Sequence, residues 1–168
     1  MGEWLLVLLA VILTVGTAIF VATEFALVAL DRPTVQQAID AGDTRARGVL
    51  ASLRRLSTQL SAAQVGITVT TLLVGYLAQP SIGHLLEAPL AAVLPAGSVE
   101  SVAAMLALVL VTLFSMVFGE LVPQFLGISA PLPTAKVVAA PVRWFSMLAK
   151  PLIWVLNGSA NGFLRGMG

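Results

Sequence analysis

Three long apolar stretches dominate the sequence and are separated by more polar segments. They cover approximately residues 4–31, 58–78 and 100–128. An α-helix of about 20 apolar residues crosses the roughly 30 Å hydrocarbon core of a bilayer. The first stretch is longer than this, which predicts a tilted helix or one whose end reaches the headgroups. The pattern therefore predicts three transmembrane helices.

The two segments that connect these stretches differ in character. Residues 33–56 are polar, and a turn at Gly42 divides them into two short helical patterns. Pro33 stands where the first of these helices is expected to begin. Residues 78–100 contain three prolines, which predicts a loop with one short interfacial helix over about 81–93.

The third stretch is interrupted by a proline, and the segment after it is amphipathic. Pro123 predicts a broken helix, which a membrane tolerates only where the backbone is buried in protein or lines a cavity. Residues 134–168 mix basic and aromatic side chains, which is typical of juxtamembrane helices at the interface, although 137–156 as a fourth span stays open. The expected fold is an all-α membrane protein: one domain over 1–168, with three transmembrane helices and short, amphipathic juxtamembrane helices.

Composition supports the membrane class and excludes several kinds of chemistry. Hydrophobic residues make up 58% of the chain and charged residues 10%, against about 25% charged in soluble domains. The net charge of +1 provides no basic surface for nucleic acid. Cysteine is absent, which excludes thiolate ligands and nucleophiles, and a single histidine, His84, argues against Ser-His catalysis. Zinc-protease and serine-hydrolase motifs are absent too, so we do not expect an enzyme.

Basic residues are distributed asymmetrically along the chain. Five arginines lie between the first and second stretches, and the other four basic residues follow the third. None precedes the first stretch, and none lies in residues 78–100. The positive-inside rule therefore predicts a multi-pass protein of the inner (plasma) membrane, with its N-terminus outside and its C-terminus in the cytoplasm.

Two carboxylates lie inside the apolar stretches without a basic partner there. They are Glu24, close enough to the cytoplasmic end to be solvated, and Glu120, directly before the expected break. A charged side chain at the bilayer centre costs about 2.5–3.5 kcal/mol on insertion scales. Protonation, a wet hydrogen-bonded cavity or a bound cation would each relieve that cost.

Oxygen atoms suited to a hard cation accompany Glu120. A helix broken near Pro123 would leave backbone carbonyls without donors. Candidate hydroxyls are those of Thr23, Thr68, Thr71 and Ser115. Mg²⁺, Ca²⁺ and Na⁺ all prefer oxygen ligands. The polar face of the second helix, which includes Thr68 and Thr71, serves either helix packing or a hydrophilic pathway.

Four separated motifs resemble those of the CorC/CNNM family of magnesium transporters. FGELVPQ at 118–124 is similar to the family's FGE-x-x-P-[KQ] signature, and FVATEFAL at 20–27 to its first-helix motif. LSTQLS from residue 56, continuing to Gly75, resembles the second-helix pattern. PLIWVLNGSAN at 151–161 is similar to the segment before the linker of bacterial members. The likeness covers essentially the whole chain.

The resemblance implies a homodimeric membrane domain that exports Mg²⁺, coupled to Na⁺ entry. A small three-span module also favours a homodimer on general grounds. By position, Glu120 matches the acidic ligand of a dehydrated Mg²⁺, and a backbone carbonyl would come from Leu126 or Gly127. Thr23 takes the place of a ligating serine, and Thr68 or Thr71 would supply the second-helix ligand. The pathway or coupling-ion residues would be Glu24, Ser115 and Gln124.

Two departures from the family pattern and three alternatives remain. Val21 and Tyr76 stand where many members carry a serine and an asparagine, so the ligand set resembles the family geometry without reproducing it. The family usually continues into cytosolic nucleotide-binding CBS domains, which we expect in the full-length chain and not in these residues. A Mg²⁺-sensing regulatory protein without transport is the alternative function. Protons could replace Na⁺, and an intramembrane hydrolase is the least favoured reading.

Overall fold

The computed structural model describes residues 2–167, and their regular structure is entirely helical. Gly168, the last residue of the expected juxtamembrane region, lies outside the described residues. The helices are α1 (Gly2–Ala29), α2 (Arg32–Asp40), α3 (Ala46–Leu53), α4 (Leu56–Ala91), a 3₁₀ turn (Ala96–Ser98), α5 (Val99–Phe114), a π-helical segment (Ser115–Leu121), α6 (Val122–Ser129), α7 (Pro131–Leu148) and α8 (Lys150–Met167).

Three helical stretches among the described residues are long and apolar enough to cross a membrane. They are Gly2–Ala29, Leu56–Ala91 and Ala96–Ser129. The prediction of an all-helical protein with three candidate spans is therefore confirmed. Residues 137–156 do not form one continuous helix, because α7 ends at Leu148 and α8 begins at Lys150.

The separate interfacial helix expected over about 81–93 is wrong, because α4 continues to Ala91 with Pro80 and Pro89 inside it, and the loop is limited to residues 92–95 before the 3₁₀ turn. Proline costs a helix one hydrogen bond, but ending the helix in an apolar environment would unpair several backbone groups at once. The Ser81 hydroxyl also donates to the Leu77 carbonyl at 2.9 Å within the turn that contains Pro80.

The break expected near Pro123 is also wrong, because the third span remains helical through that residue. Its turns widen into the π-helical segment Ser115–Leu121, and the Val122 N–H donates to the Val117 carbonyl five residues back. Pro123 then lies in the first turn of α6. A π segment accommodates a proline ring by adding a residue to the turn, whereas the sequence pattern suggested ending the helix.

The two short helices between the first two spans are confirmed. The Asp31 side chain caps α2 by accepting from the Thr34 N–H at 2.9 Å, and Pro33 lies in the first turn. Gly42 has a φ of +96°, a left-handed conformation that favours glycine and lets the chain turn between α2 and α3.

The chain forms two compact units. The first unit comprises Met1–Ala18 and Thr68–Val122, and the second comprises Ile19–Ile67 and Pro123–Gly168. Alanine and valine make up most of both cores. The buried cluster of the first unit consists of Ala10, Val74, Ala78 and Val111. That of the second unit consists of Ala26, Leu27, Val35, Ala46, Val49, Leu53 and Ala135.

One ion pair fastens α7 to the turn between α2 and α3 in the second unit. The Lys136 ammonium donates to Asp43 Oδ2 at 2.7 Å, and both side chains are partly buried. This hydrogen bond holds the pKa of Asp43 below its ordinary value, because it favours the charged carboxylate.

Candidate cation site

Glu120 lies on the π-helical segment of the first unit, where its side chain is exposed. The ion pairs of the described residues join Glu3 to His84 and Asp43 to Lys136, so neither Glu120 nor Glu24 has a basic partner there. The preceding Gly119 is buried beside the Thr14 and Thr17 side chains of α1. The backbone beside the carboxylate is therefore packed while the carboxylate itself stays accessible.

The hydroxyls expected on the second helix divide between two faces of α4. Thr68 and Thr71 are exposed. Thr70 faces α1, where its Oγ1 lies 2.7 Å from Thr17 Oγ1. The interhelical hydroxyl pair Thr17–Thr70 has no counterpart among the candidate hydroxyls of the sequence analysis, which included neither residue.

Ser115 opens the π-helical segment, and its hydroxyl oxygen is buried without a hydrogen-bond partner among the described residues. It lines a cavity of about 260 Å³ in the first unit, which is otherwise mostly apolar and also contains Thr14. The Thr14 hydroxyl donates to the Ala10 carbonyl at 2.9 Å. The Ser115 hydroxyl is thus able to donate and to accept a hydrogen bond beside this cavity.

Thr23 and Glu24 lie on α1 in the second unit. Thr23 is completely buried, and its hydroxyl donates to the Ile19 carbonyl at 2.8 Å, with the Val138 carbonyl at 3.4 Å. The hydroxyl proton is therefore directed to backbone oxygens, while the oxygen keeps a lone pair for a further partner. Glu24 is half-buried, and so is Gln124 on α6.

The carbonyls of Leu126 and Gly127 in the second unit are not equivalent. The Leu126 carbonyl accepts from the Ala130 N–H at 3.1 Å and from Thr134 Oγ1 at 3.0 Å, which uses both of its lone pairs. The residue four positions after Gly127 is Pro131, which has no N–H, so the regular helical hydrogen bond to the Gly127 carbonyl cannot form. Gly127 is therefore the better oxygen donor of the two.

The resulting donor set is poor in charge. Within residues 2–167, no three or more histidine, aspartate or glutamate side chains come together. A cation near Glu120 would therefore meet one carboxylate and otherwise neutral oxygens. Such sites suit a cation that must be released, because binding that is too tight prevents passage.

Comparisons with known proteins agree over almost the whole chain. A family model described as "Cyclin M transmembrane N-terminal domain" (CNNM) matches residues 8–168. The chain is 46% identical over 157 residues to UPF0053 protein MT1890 of Mycobacterium tuberculosis, and this alignment covers 93% of this chain and 34% of that protein. It is 35% identical over 164 residues to UPF0053 protein YugS of Bacillus subtilis, covering 96% and 38%.

The chain spans about a third of the length of these relatives. A third relative, UPF0053 protein YhdT of Bacillus subtilis, is 37% identical over 159 residues, with 34% of its length covered.

Proposed function

Since this chain belongs to the CorC/CNNM family of membrane proteins, we propose that it exports Mg²⁺ across the membrane, with Glu120 as a ligand of the ion. Mg²⁺ prefers oxygen ligands, so one carboxylate and several neutral oxygens that replace water around the dehydrated ion are enough for transient binding. The family supplies the substrate class, and the following features of the chain supply the residues.

The observation that carries the proposal is the exposed, unpaired carboxylate of Glu120 on an apolar span. An ionised side chain in this setting is expensive unless it meets water, a proton or a cation. The π-helical segment adds to this chemistry, because such segments are frequent at functional sites. Pro123 lacks an N–H, so a carbonyl in the turn before it loses its helical donor.

Other oxygens are proposed as ligands on separate grounds. The exposed Thr71 and Thr68 present hydroxyls on α4, and Thr23 retains a free lone pair. Pro131 has no N–H to donate to the Gly127 carbonyl, whereas the Leu126 carbonyl already accepts two hydrogen bonds. We therefore rank Gly127 above Leu126 as a ligand.

We further propose that the transporter is a homodimer and that Na⁺ entry drives Mg²⁺ export. Three spans alone give few helices with which to enclose a hydrated pathway, and a second copy of the chain would double their number. Glu24, Ser115 and Gln124 are the residues that we propose for the coupling ion or the pathway. Glu24 supplies a second carboxylate, and Ser115 supplies an unpartnered hydroxyl.

The test is Mg²⁺ efflux from loaded proteoliposomes, followed with an external Mg²⁺-sensitive dye. Glu120→Gln keeps the shape of the side chain and removes its charge, so we expect efflux to fall at least about tenfold, equivalent to about 1.4 kcal/mol. Glu100→Gln is the matched control, because Glu100 is an exposed glutamate in the first turn of α5 and should be neutral. Wild-type efflux from Glu120→Gln would disprove the assignment.

An imposed Na⁺ gradient at fixed pH tests the coupling. Efflux that follows the Na⁺ gradient supports exchange, and efflux that ignores it but follows a pH gradient shows proton coupling instead. Saturable Mg²⁺ binding without any flux would favour the regulatory, Mg²⁺-sensing role over transport.

A further inference from the structure

A second polar site lies in the second unit, on α3, α7 and the start of α4. It is a cavity of about 670 Å³ that is lined by four arginines, Arg47, Arg54, Arg55 and Arg143. The described residues that line it include no aspartate or glutamate. Its volume is within the range of about 300–1,000 Å³ that is usual for small-molecule sites. Four guanidinium groups around one cavity make it strongly electropositive.

Three of these four arginines have unoccupied donors. Among the described residues, no ion pair or hydrogen bond engages the side chains of Arg47, Arg54 and Arg55. The Arg143 guanidinium donates from Nη1 to the Gly48 carbonyl at 3.1 Å. Since guanidinium groups repel one another and prefer bidentate contacts with oxyanions, the cluster is suited to an anion from outside the chain.

The position of Arg143 depends on a residue without a side chain. A Cβ atom added at Gly48 would lie 3.2 Å from Arg143 Nη2 and 3.3 Å from Nη1. Gly48 therefore lets the guanidinium lie directly against α3. This packing fixes one arginine in the wall while the other three remain exposed.

A buried polar group in the cavity wall is incompletely satisfied. Gln59 is only 4% exposed, and its Nε2 donates to Ser146 Oγ at 3.1 Å. Ser146 Oγ donates in turn to the Arg143 carbonyl at 2.8 Å, which fixes the orientation of the Gln59 amide. Gln59 Oε1 is then a buried acceptor that has no partner among the described residues. This acceptor calls for a hydrogen-bond donor on the occupant, such as a hydroxyl group, whereas the arginines suit an anionic group.

We propose that this cavity binds the phosphate of an anionic phospholipid headgroup. The chemistry that it recognises is a phosphate group, held by the guanidinium groups of Arg47, Arg54 and Arg55 beside the fixed Arg143. A basic pocket between helices near the cytoplasmic surface is a common form of lipid headgroup site.

The rim of the cavity favours a lipid over a soluble phosphate. Trp144 and Met147 line it and are 69% and 60% exposed. Exposed tryptophan next to arginine is typical of the membrane interface, where an acyl chain lies beside the apolar side chains and the headgroup meets the charges. The sequence places these arginines in the segment that the positive-inside rule predicts on the cytoplasmic side.

Native mass spectrometry of the delipidated protein tests this proposal without any transport assay, so its outcome is independent of the proposed function. The probes are dioleoyl phosphatidylglycerol and dioleoyl phosphatidylcholine at equal concentrations. We expect the wild type to retain phosphatidylglycerol preferentially. Arg54→Gln with Arg55→Gln should weaken that binding about thirtyfold, since each basic residue near an anionic surface contributes roughly a factor of five.

The matched control removes the same charge elsewhere in the polar segment. Arg32 and Arg45 do not line the cavity, so Arg32→Gln with Arg45→Gln should retain nearly all of the binding. Circular dichroism verifies that both double variants keep their helical content and melting temperature. Because Arg54 and Arg55 are exposed and unpaired, we expect the variant to fold.

Three results would overturn the proposal. Equal binding of the two lipids would remove the requirement for an anionic headgroup. Equal losses in the two double variants would show a diffuse charge effect and no pocket. Displacement of phosphatidylglycerol by millimolar inorganic phosphate would assign the cavity to a soluble phosphate. Persistence of the lipid in the presence of phosphate supports the lipid assignment.

Discussion

Gly127 provides a sharp test of how closely the helices of the second unit pack. A Cβ atom added at this position would lie 2.9 Å from the Ala26 backbone nitrogen, 2.9 Å from Phe25 Cβ and 3.1 Å from the Ala22 carbonyl oxygen. Ordinary contacts of this kind begin at about 3.4 Å, so the added methyl group is roughly 0.5 Å too close. Two of these three atoms belong to the backbone, so helix α1 or α6 itself must move.

The expected cost of Gly127→Ala follows from this geometry. Overpacking of a closely packed interior costs about 1–3 kcal/mol, and backbone contacts favour the upper part of that range. Alanine regains about 1 kcal/mol of helix propensity, which leaves a net loss of about 2 kcal/mol. For a chain of this size, that loss lowers the melting temperature by about 4–8 °C.

Gly119→Ala is the matched control, because Gly119 is also buried on the third span. An added Cβ there would lie 3.5 Å from Thr14 Cγ2, an ordinary contact. The helix propensity of alanine should therefore leave the melting temperature unchanged or raise it by about 2–4 °C. Thermal unfolding of both variants in the same detergent, followed by tryptophan fluorescence, makes the comparison. Equal shifts in the two variants would refute the packing argument.

Two further substitutions test individual polar groups. Asp43→Asn should lower the melting temperature at pH 7 and narrow its difference from the wild type near pH 3. The reason is that the Lys136 hydrogen bond lowers the pKa of Asp43 in the folded protein, so the pair stabilises the fold fully above the ordinary carboxyl pKa of about 4. This stabilisation is lost as the pH falls from there through the lowered pKa of the folded protein. An equal difference at both pH values would contradict this; Asp40→Asn is the exposed control. Ser115→Ala removes a buried hydroxyl that has no partner among the described residues. Thermal unfolding should therefore show a stability that is equal to that of the wild type or higher by up to about 1 kcal/mol. A loss of more than about 1 kcal/mol would show that the hydroxyl has a partner.

The sequence pattern predicted those features that depend on apolar length and local chain chemistry. The three spans, Pro33 in the first turn of α2 and the turn at Gly42 all follow from hydrophobic runs or from backbone restrictions. Both errors in helix limits occurred at prolines, Pro80 and Pro123. Rules for proline describe helices in water, where a broken helix end is solvated, and they fail where its polar groups have no water to meet.

The side-chain partners of the candidate site were beyond the reach of the sequence. The Thr17–Thr70 hydroxyl contact depends on how α1 and α4 are rotated against each other, which residue spacing alone does not determine. The difference between the Leu126 and Gly127 carbonyls had a local signal that was not used: Pro131 follows Gly127 by four residues. Counting the prolines four residues after each carbonyl would have selected Gly127 from the sequence alone.

The π-helical segment has a consequence for the phase of the third span. The buried positions of its α-helical and π-helical parts are spaced by four residues, with one step of eight across the partly buried Ser115, at Val99, Ala103, Ala107, Val111, Gly119, Pro123 and Gly127. In a regular α-helix each step of four advances about 40° beyond a full turn, so this row would drift by roughly 280° over its length. The extra residue of a π turn removes about 100° of that drift. Deleting one residue, such as Met116, would therefore let the segment become a regular α-helix while α6 keeps the same buried face, whereas no single substitution in the span can remove the extra residue.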